Sequence, residues 1–288
     1  AIDLSQTATL EAAAAHFWGA DYAPHPHMPP VTEGPLKARL FTALAARAGT
    51  DPHARGRSRT MLAADAATVL ETLVDAAAGG AGDGPIHQRL GTAWGLGPDG
   101  ADLVRRALVL MLDHELYAST FSARVAASTG ASLSACALAG LSTLSGPLHG
   151  AAVSGVLAFL SEAQLLGAGA AIRARLDEGR ALPGFGHPLY PGGDPRASEL
   201  LAQFNVPENL DDILSAVAHE SGEHPNVDFA IAAMAQRYTL PADAAFSVFA
   251  IGRSIGWLGH AMEQIETGSL IRPRARYDGV MPDNAARP

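Results

Sequence analysis

Along most of the chain, apolar residues recur at intervals of three and four, the spacing of one face of an α-helix. The run "LAADAATVLETLVDAAAGG" keeps that spacing until it stops at Gly79-Gly80. "TLEAAAAHFWG" opens on a threonine cap and closes at Gly19. "GPLKARLFTALAARAG" sets Pro35 near a first turn and Gly49 just past the end. The same reading predicts helices over about 99–128, 131–144, 148–166, 169–179, 195–204, 208–222, 226–238 and 242–266. Period-two alternation is missing, and runs of Val, Ile and Thr are short. The pattern predicts an all-α fold, and no repeat of fixed period is present.

Three stretches break the helical pattern. "YAPHPHMPPVTEGP" is a proline-rich connector, "GTDPHARGRSRT" is a polar loop, and "LPGFGHPLYPGGDPR" at 182–196 is a stiff turn-rich segment with a possible hinge beside it. Between these breaks, small residues dominate several helices, as in "SLSACALAG", and let helices approach closely. Apolar residues make up 48% and charged residues 17% of the 288 residues, enough for a sizeable core and too apolar for global disorder. The single cysteine, Cys136, excludes a disulfide framework and reads as a buried inert thiol. No apolar run reaches the ~18 residues of a membrane span, and the first residues lack the basic and apolar regions of a signal peptide. A cytoplasmic protein without a membrane partner is expected. The net charge of −9 argues against nucleic acid as a partner, but leaves room for a local arginine cluster that holds a small anion.

Four segments place a His or Asp beside a turn or helix end: "DHELYAST" (113–120), "SGPLHGAA" (145–152), the 182–196 loop, and "HPNVDFA" (224–230). His149 is expected near the start of a helix, whose positive end disfavours imidazolium, so it reads as a neutral hydrogen-bond donor. His187 sits among Pro183, Pro188 and Pro191, with glycines that allow close approach of a ligand. Asp228 falls in a first helical turn and is a carboxylate able to take a proton. His114 falls within a helical pattern. Alone, each is equally at home as an ordinary capping, turn or core residue. Together with Arg196, Arg253 and Arg272, all near Gly and Pro breaks, they fit a site for a dianion. Other motifs fail. "HPH" at 25–27 lacks a third metal ligand, so no metal is expected. "GFGHPL" lacks the third glycine and preceding strand of a dinucleotide fingerprint, and there is neither a Walker loop nor G-x-S-x-G.

In order, "DHELYAST", "GPLHGAA", "PGFGHPLYPGGDPR", "NVDFAIA", "IGRSIGWLGHAMEQ" and "IRPRARYDG" resemble the citrate synthase family over about residues 85–279. The resemblance implies a homodimer whose subunits have a large domain (1–149 and 237–288) and a small one (150–236) that close over substrate. It implies condensation of acetyl-CoA, or a short acyl-CoA, with oxaloacetate to give citrate or 2-methylcitrate and free CoA. By position, Asp228 resembles the base, His149 the enolate stabiliser, and His187 the group that polarises the ketone. His114, Arg196 and Arg253 resemble the oxoacid pocket, and Arg272 the arginine contributed across the dimer interface. The backbone of Leu182, Pro183, Gly184, Phe185 and Gly186 resembles the grip on CoA, which is a co-substrate; no permanent cofactor is implied. Tyr117 stands where the family usually has Asn, and Pro188 and Pro191 stand where basic residues are common. These departures leave open a catalytically weak homologue that senses an oxoacid or CoA thioester; a citryl-CoA lyase is the third alternative.

Overall fold

A computed structural model describes residues 1–26, 29–150 and 152–279; His27 of the "HPH" segment lies outside the described residues. Fourteen helices are present among them and no strand, in accord with the all-α expectation. They run α1 (Ile2–Thr7), α2 (Leu10–Trp18), α3 (Leu36–Ala48), α4 (Arg59–Ala78), α5 (Ile86–Ala93), α6 (Pro98–Leu110) and α7 (Ala118–Ser128). After these come α8 (Leu133–Leu144), α9 (Ala152–Leu166), α10 (Ala168–Asp177), α11 (Pro195–Leu201), α12 (Glu208–Glu220), α13 (Val227–Arg237) and α14 (Ala244–Thr267). The expected punctuation acts as read. The Thr9 side chain accepts from Ala12 N–H at the start of α2, and Gly19 and Gly79 end α2 and α4 in the left-handed conformation.

The core is organised around α14, which is buried without interruption from Ala244 to Leu258. It packs on α4, α6, α7 and α8. Small residues permit this. A β-carbon on Gly140 of α8 would lie 2.6 Å from the Trp257 ring, and one on Gly252 would lie 2.5 Å from the Leu108 carbonyl oxygen. Cys136 is fully buried, and burial pushes its thiol up to about 12, so the expected inert thiol holds. A second group, α9 to α13, packs mainly on itself and meets the rest through α11 on α1 and α6, and through α9 and α13 on α14.

One expected element is corrected. The pattern over 99–128 is not one helix but two, α6 and α7, with 111–117 between them, so His114 lies in a loop rather than a helix. Tertiary partners end α6. The carbonyls that would continue the ladder are taken from α14: Arg253 Nε donates to the Met111 oxygen at 2.8 Å, and Gly256 N–H reaches the Leu112 oxygen at 2.9 Å. Asp113 accepts from Glu115 N–H at 3.2 Å and pairs with His260 of α14 at 3.2 Å, holding Glu115 at a left-handed φ of 53°. No glycine or proline marks that break. The short helices α1 and α5 also escaped the pattern.

Gly256 is therefore placed where α14 and the 111–115 segment meet. An added β-carbon would stand 2.7 Å from the Leu112 oxygen and 2.8 Å from Asp113 Oδ1. Gly256→Ala is expected to lose about 1–3 kcal/mol in thermal unfolding. A wild-type melting temperature would show that the two segments are not held this close.

Candidate active site

The base candidate is built by the start of α13. Asn226 caps this helix, its side-chain oxygen accepting from Asp228 N–H at 3.0 Å and Phe229 N–H at 3.4 Å. The cap turns the Asp228 carboxylate into a cavity of about 180 Å³, where Oδ1 is buried and has no hydrogen-bond partner. Burial raises its pKa to about 7; Arg196 and Arg253 oppose the shift and Asp194 adds to it.

His149 lies in a turn three residues before α9, its carbonyl accepting from Ala152 N–H at 2.8 Å. Its Nε2 is 2.8 Å from Ser119 Oγ, which also accepts from Trp257 Nε1 at 3.1 Å. Indole is donor only and takes one lone pair of the serine oxygen, which leaves the Ser119 hydroxyl placed to donate to Nε2, an arrangement compatible with the ring hydrogen on Nδ1. Burial first, and Arg253 second, push this imidazole down to about 4, so it is neutral, as expected. The operative cause is desolvation and a nearby cation rather than the helix end alone.

The other imidazoles are arranged alike. His187 Nδ1 accepts from Leu189 N–H at 3.1 Å, which puts its hydrogen on Nε2. His114 Nδ1 faces Arg196 Nη1 at 3.5 Å, and its buried Nε2 has no partner. Burial, then Arg196, lower both, His114 to about 4. The His114 and His187 rings meet edge-on at 5.3 Å, with Tyr190 4.8 Å from His187. Arg253, 1% exposed, uses Nε on Met111 and leaves Nη1 and Nη2 buried without partners, facing the same cavity. Arg196 reaches it from the second position of α11.

The structure thus gathers His114, His149, His187, Arg196, Arg253 and Asp228 around one cavity. Three neutral N–H donors and two cations surround one carboxylate able to accept a proton. Tyr117 is there too, its ring 4.6 Å from His149 and 5.9 Å from His114. Arg272 is not brought in; it is exposed in the extended segment after α14. Leu182–Gly186 lies alongside α13, joined by Gly186 N–H to the His224 oxygen at 2.9 Å and Asn226 N–H to the Gly184 oxygen at 2.8 Å. Gly184, at φ 87°, has no room for a β-carbon, which would meet Val156 at 3.0 Å. A larger cavity, about 620 Å³, opens at the far end of α13, but Asp243 is its only charged lining residue. No cluster suited to a metal occurs among the described residues. Sequence reading missed Ser119 and Asp194. Ser119 sits in the quoted "AST", and only the fold shows that its hydroxyl faces His149.

A family model described as the citrate synthase C-terminal domain matches residues 30–274. The chain belongs to the citrate synthase family. Citrate synthase 2 of Bacillus subtilis (strain 168) is 38% identical over 193 residues, 63% of this chain and 52% of that protein. Citrate synthase of Thermotoga maritima MSB8 superposes with a TM-score of 0.75 at 22% identity, over 99% of this chain and 89% of that one. A citrate synthase of Thermoplasma acidophilum, solved as the ternary complex with carboxymethyl coenzyme A and oxaloacetate, superposes at 0.70 and 21% identity, over 96% and 78%. The chain spans about half the length of the curated relatives it matches. Ser119 is the side chain that faces His149 Nε2. Ser119→Ala should change the ring-nitrogen NMR shifts of His149, because the group that faces Nε2 is lost. Unchanged ring-nitrogen shifts would show that Ser119 does not set the tautomer.

Proposed function

We propose that the protein condenses acetyl-CoA, or a short acyl-CoA, with oxaloacetate. Asp228 takes a proton from the carbon next to the thioester carbonyl. The new enol or enolate oxygen is met by His149 Nδ1–H. The carbon then attacks the oxoacid ketone, polarised and protonated by His187 Nε2–H, while His114, Arg196 and Arg253 hold the carboxylates. Water cleaves the resulting thioester, giving citrate, or 2-methylcitrate from propionyl-CoA, and the free CoA thiol. The observation that carries this reading is the single unpartnered carboxylate oxygen of Asp228 facing three neutral imidazoles and two guanidinium groups in one cavity. A thioester α-proton is too weakly acidic for a carboxylate in water. Donors aimed at the developing oxyanion, away from water, supply the difference, each worth about 2.7–4 kcal/mol.

The reading extends to the assembly. The named contents of the T. acidophilum complex support a CoA thioester and an oxoacid as ligands. CoA is assigned to the backbone of Leu182–Gly186, and residues 150–236 to a small domain that closes on 1–149 and 237–288. A homodimer, in which Arg272 reaches the partner's pocket, is supported by exposed apolar side chains on α4 and α7, including Met61, Phe121 and Val125. A cytoplasmic setting and a place in the tricarboxylic acid cycle are part of the same proposal.

Release of free thiol from acetyl-CoA and propionyl-CoA in the presence of oxaloacetate tests the activity. Release abolished by Asp228→Asn is expected; oxoacid binding without release from any acyl-CoA would instead mark a sensor. Because the base must be ionised, kcat/KM should rise through about pH 7 as pH increases.

The same group costs stability. Its folded-state pKa is raised above its unfolded value, so the protonated form is favoured in the fold and stability falls as pH rises from the unfolded value towards about 7. Asp228→Asn should raise the melting temperature at pH 8 by about 2–8 °C and much less at pH 4. An equal gain at both values would point to packing rather than charge.

A further inference from the structure

We propose that Asp194 is a positioning residue for this reaction: its carboxylate locks the oxoacid arginine and the start of the base-bearing helix into one unit, and neutralises that arginine beside the base. The inference rests on the reading of Asp228 as the proton acceptor.

Asp194 is 2% exposed, and both its oxygens are fully engaged. Oδ1 accepts from Arg196 N–H at 3.0 Å and Arg196 Nε at 3.0 Å. Oδ2 accepts from Arg196 Nη2 at 2.8 Å and from Val227 N–H at 3.1 Å. One carboxylate therefore caps α11, grips the Arg196 fork in two places and binds the first residue of α13, immediately before Asp228. The clamp leaves Nη1 as the outward edge of Arg196, beside His114. Oxoacid contact at Arg196 and proton transfer at Asp228 are thereby joined through a single buried group, across two helices that start at Pro195 and Val227.

The charge matters as much as the bonds. The groups facing Asp228 are Arg196 and Asp194 from the α11 side, Arg253 from α14, and the imidazoles of His114, His149 and His187 across the cavity. The imidazoles rest neutral, so the balance lies between two cations and Asp194. Both arginines favour ionised Asp228 and weaken it as a base, whereas Asp194 opposes them. With Asp194 removed, Arg196 acts on Asp228 uncompensated, and Asp228 becomes a poorer proton acceptor.

The test is the pH profile of kcat/KM for thiol release in Asp194→Asn and Asp194→Glu. The amide keeps size and burial but loses the charge. It should move the acid limb to lower pH by about one unit, lower the plateau kcat and raise the KM for oxaloacetate. The glutamate keeps the charge and alters the reach. It should leave the acid limb in place while raising the oxaloacetate KM, and it serves if the amide variant does not fold. A residue that only supports the fold would lower activity and melting temperature without moving the limb. An unmoved limb in Asp194→Asn, or a limb in Asp194→Glu displaced by as much as a unit, overturns the proposal. Failure of the underlying reading looks different: thiol release would then survive Asp228→Asn whatever happens at position 194.

Discussion

The hydrogen bond from Arg253 Nε to the Met111 carbonyl is the contact on which the rest of the site depends. It ends α6, fixes the loop that presents His114, and places a buried guanidinium at the centre of the molecule with both terminal nitrogens unanswered. A cation so placed is tolerable only where other groups compensate or where an anion is to be received. Here Asp113 and Asp228 compensate in part, and the Phe249 ring lies 5.0 Å from the guanidinium carbon. Even so, burial and Arg196 lower Arg253 to about 10. The remaining demand for negative charge is met by a bound carboxylate in the proposed chemistry.

Neutral imidazoles are the second requirement, and the fold supplies them by the same means. Each of His114, His149 and His187 has one nitrogen facing a protein group and the other left for the cavity. Burial keeps the three rings uncharged beside two arginines, so none repels the cations and each can donate. The Leu189 N–H and the Arg196 guanidinium, donors only, set the tautomers of His187 and His114, and the Ser119 hydroxyl faces Nε2 of His149. The donors converge because α14, the α7 start and the 182–196 loop meet there.

Much of this was legible in the sequence. Helical periodicity gave most elements, because amphipathic spacing and terminal glycines reflect forces local to each helix. The six candidate side chains that the cavity gathers were all singled out in the sequence, His114 and Arg253 from within helical patterns and the others from turns and helix starts. What escaped depended on distant partners. The break at 111–117 carries no glycine or proline, since the carbonyls that end α6 are captured by residues more than 130 positions away, so its cause is invisible locally. Ser119 and Asp194 escaped for the same reason: a serine in a helix start and an aspartate before a proline look like ordinary caps until the fold shows what else they hold. Arg272, by contrast, was picked out by motif alone, and the single chain leaves it in an exposed segment.

The resting neutrality of the three imidazoles has a further consequence. A cavity of uncharged rings around one carboxyl group has no imidazolium from which to draw a proton. In the proposed reaction, any hydrogen that reaches the new alcohol must therefore be lent by a donor ring and then restored from the solvent or from the group that first removed it. Under that proposal, turnover is a closed circuit of borrowed hydrogens, and water is required as a reactant only at the bond that frees the thiol.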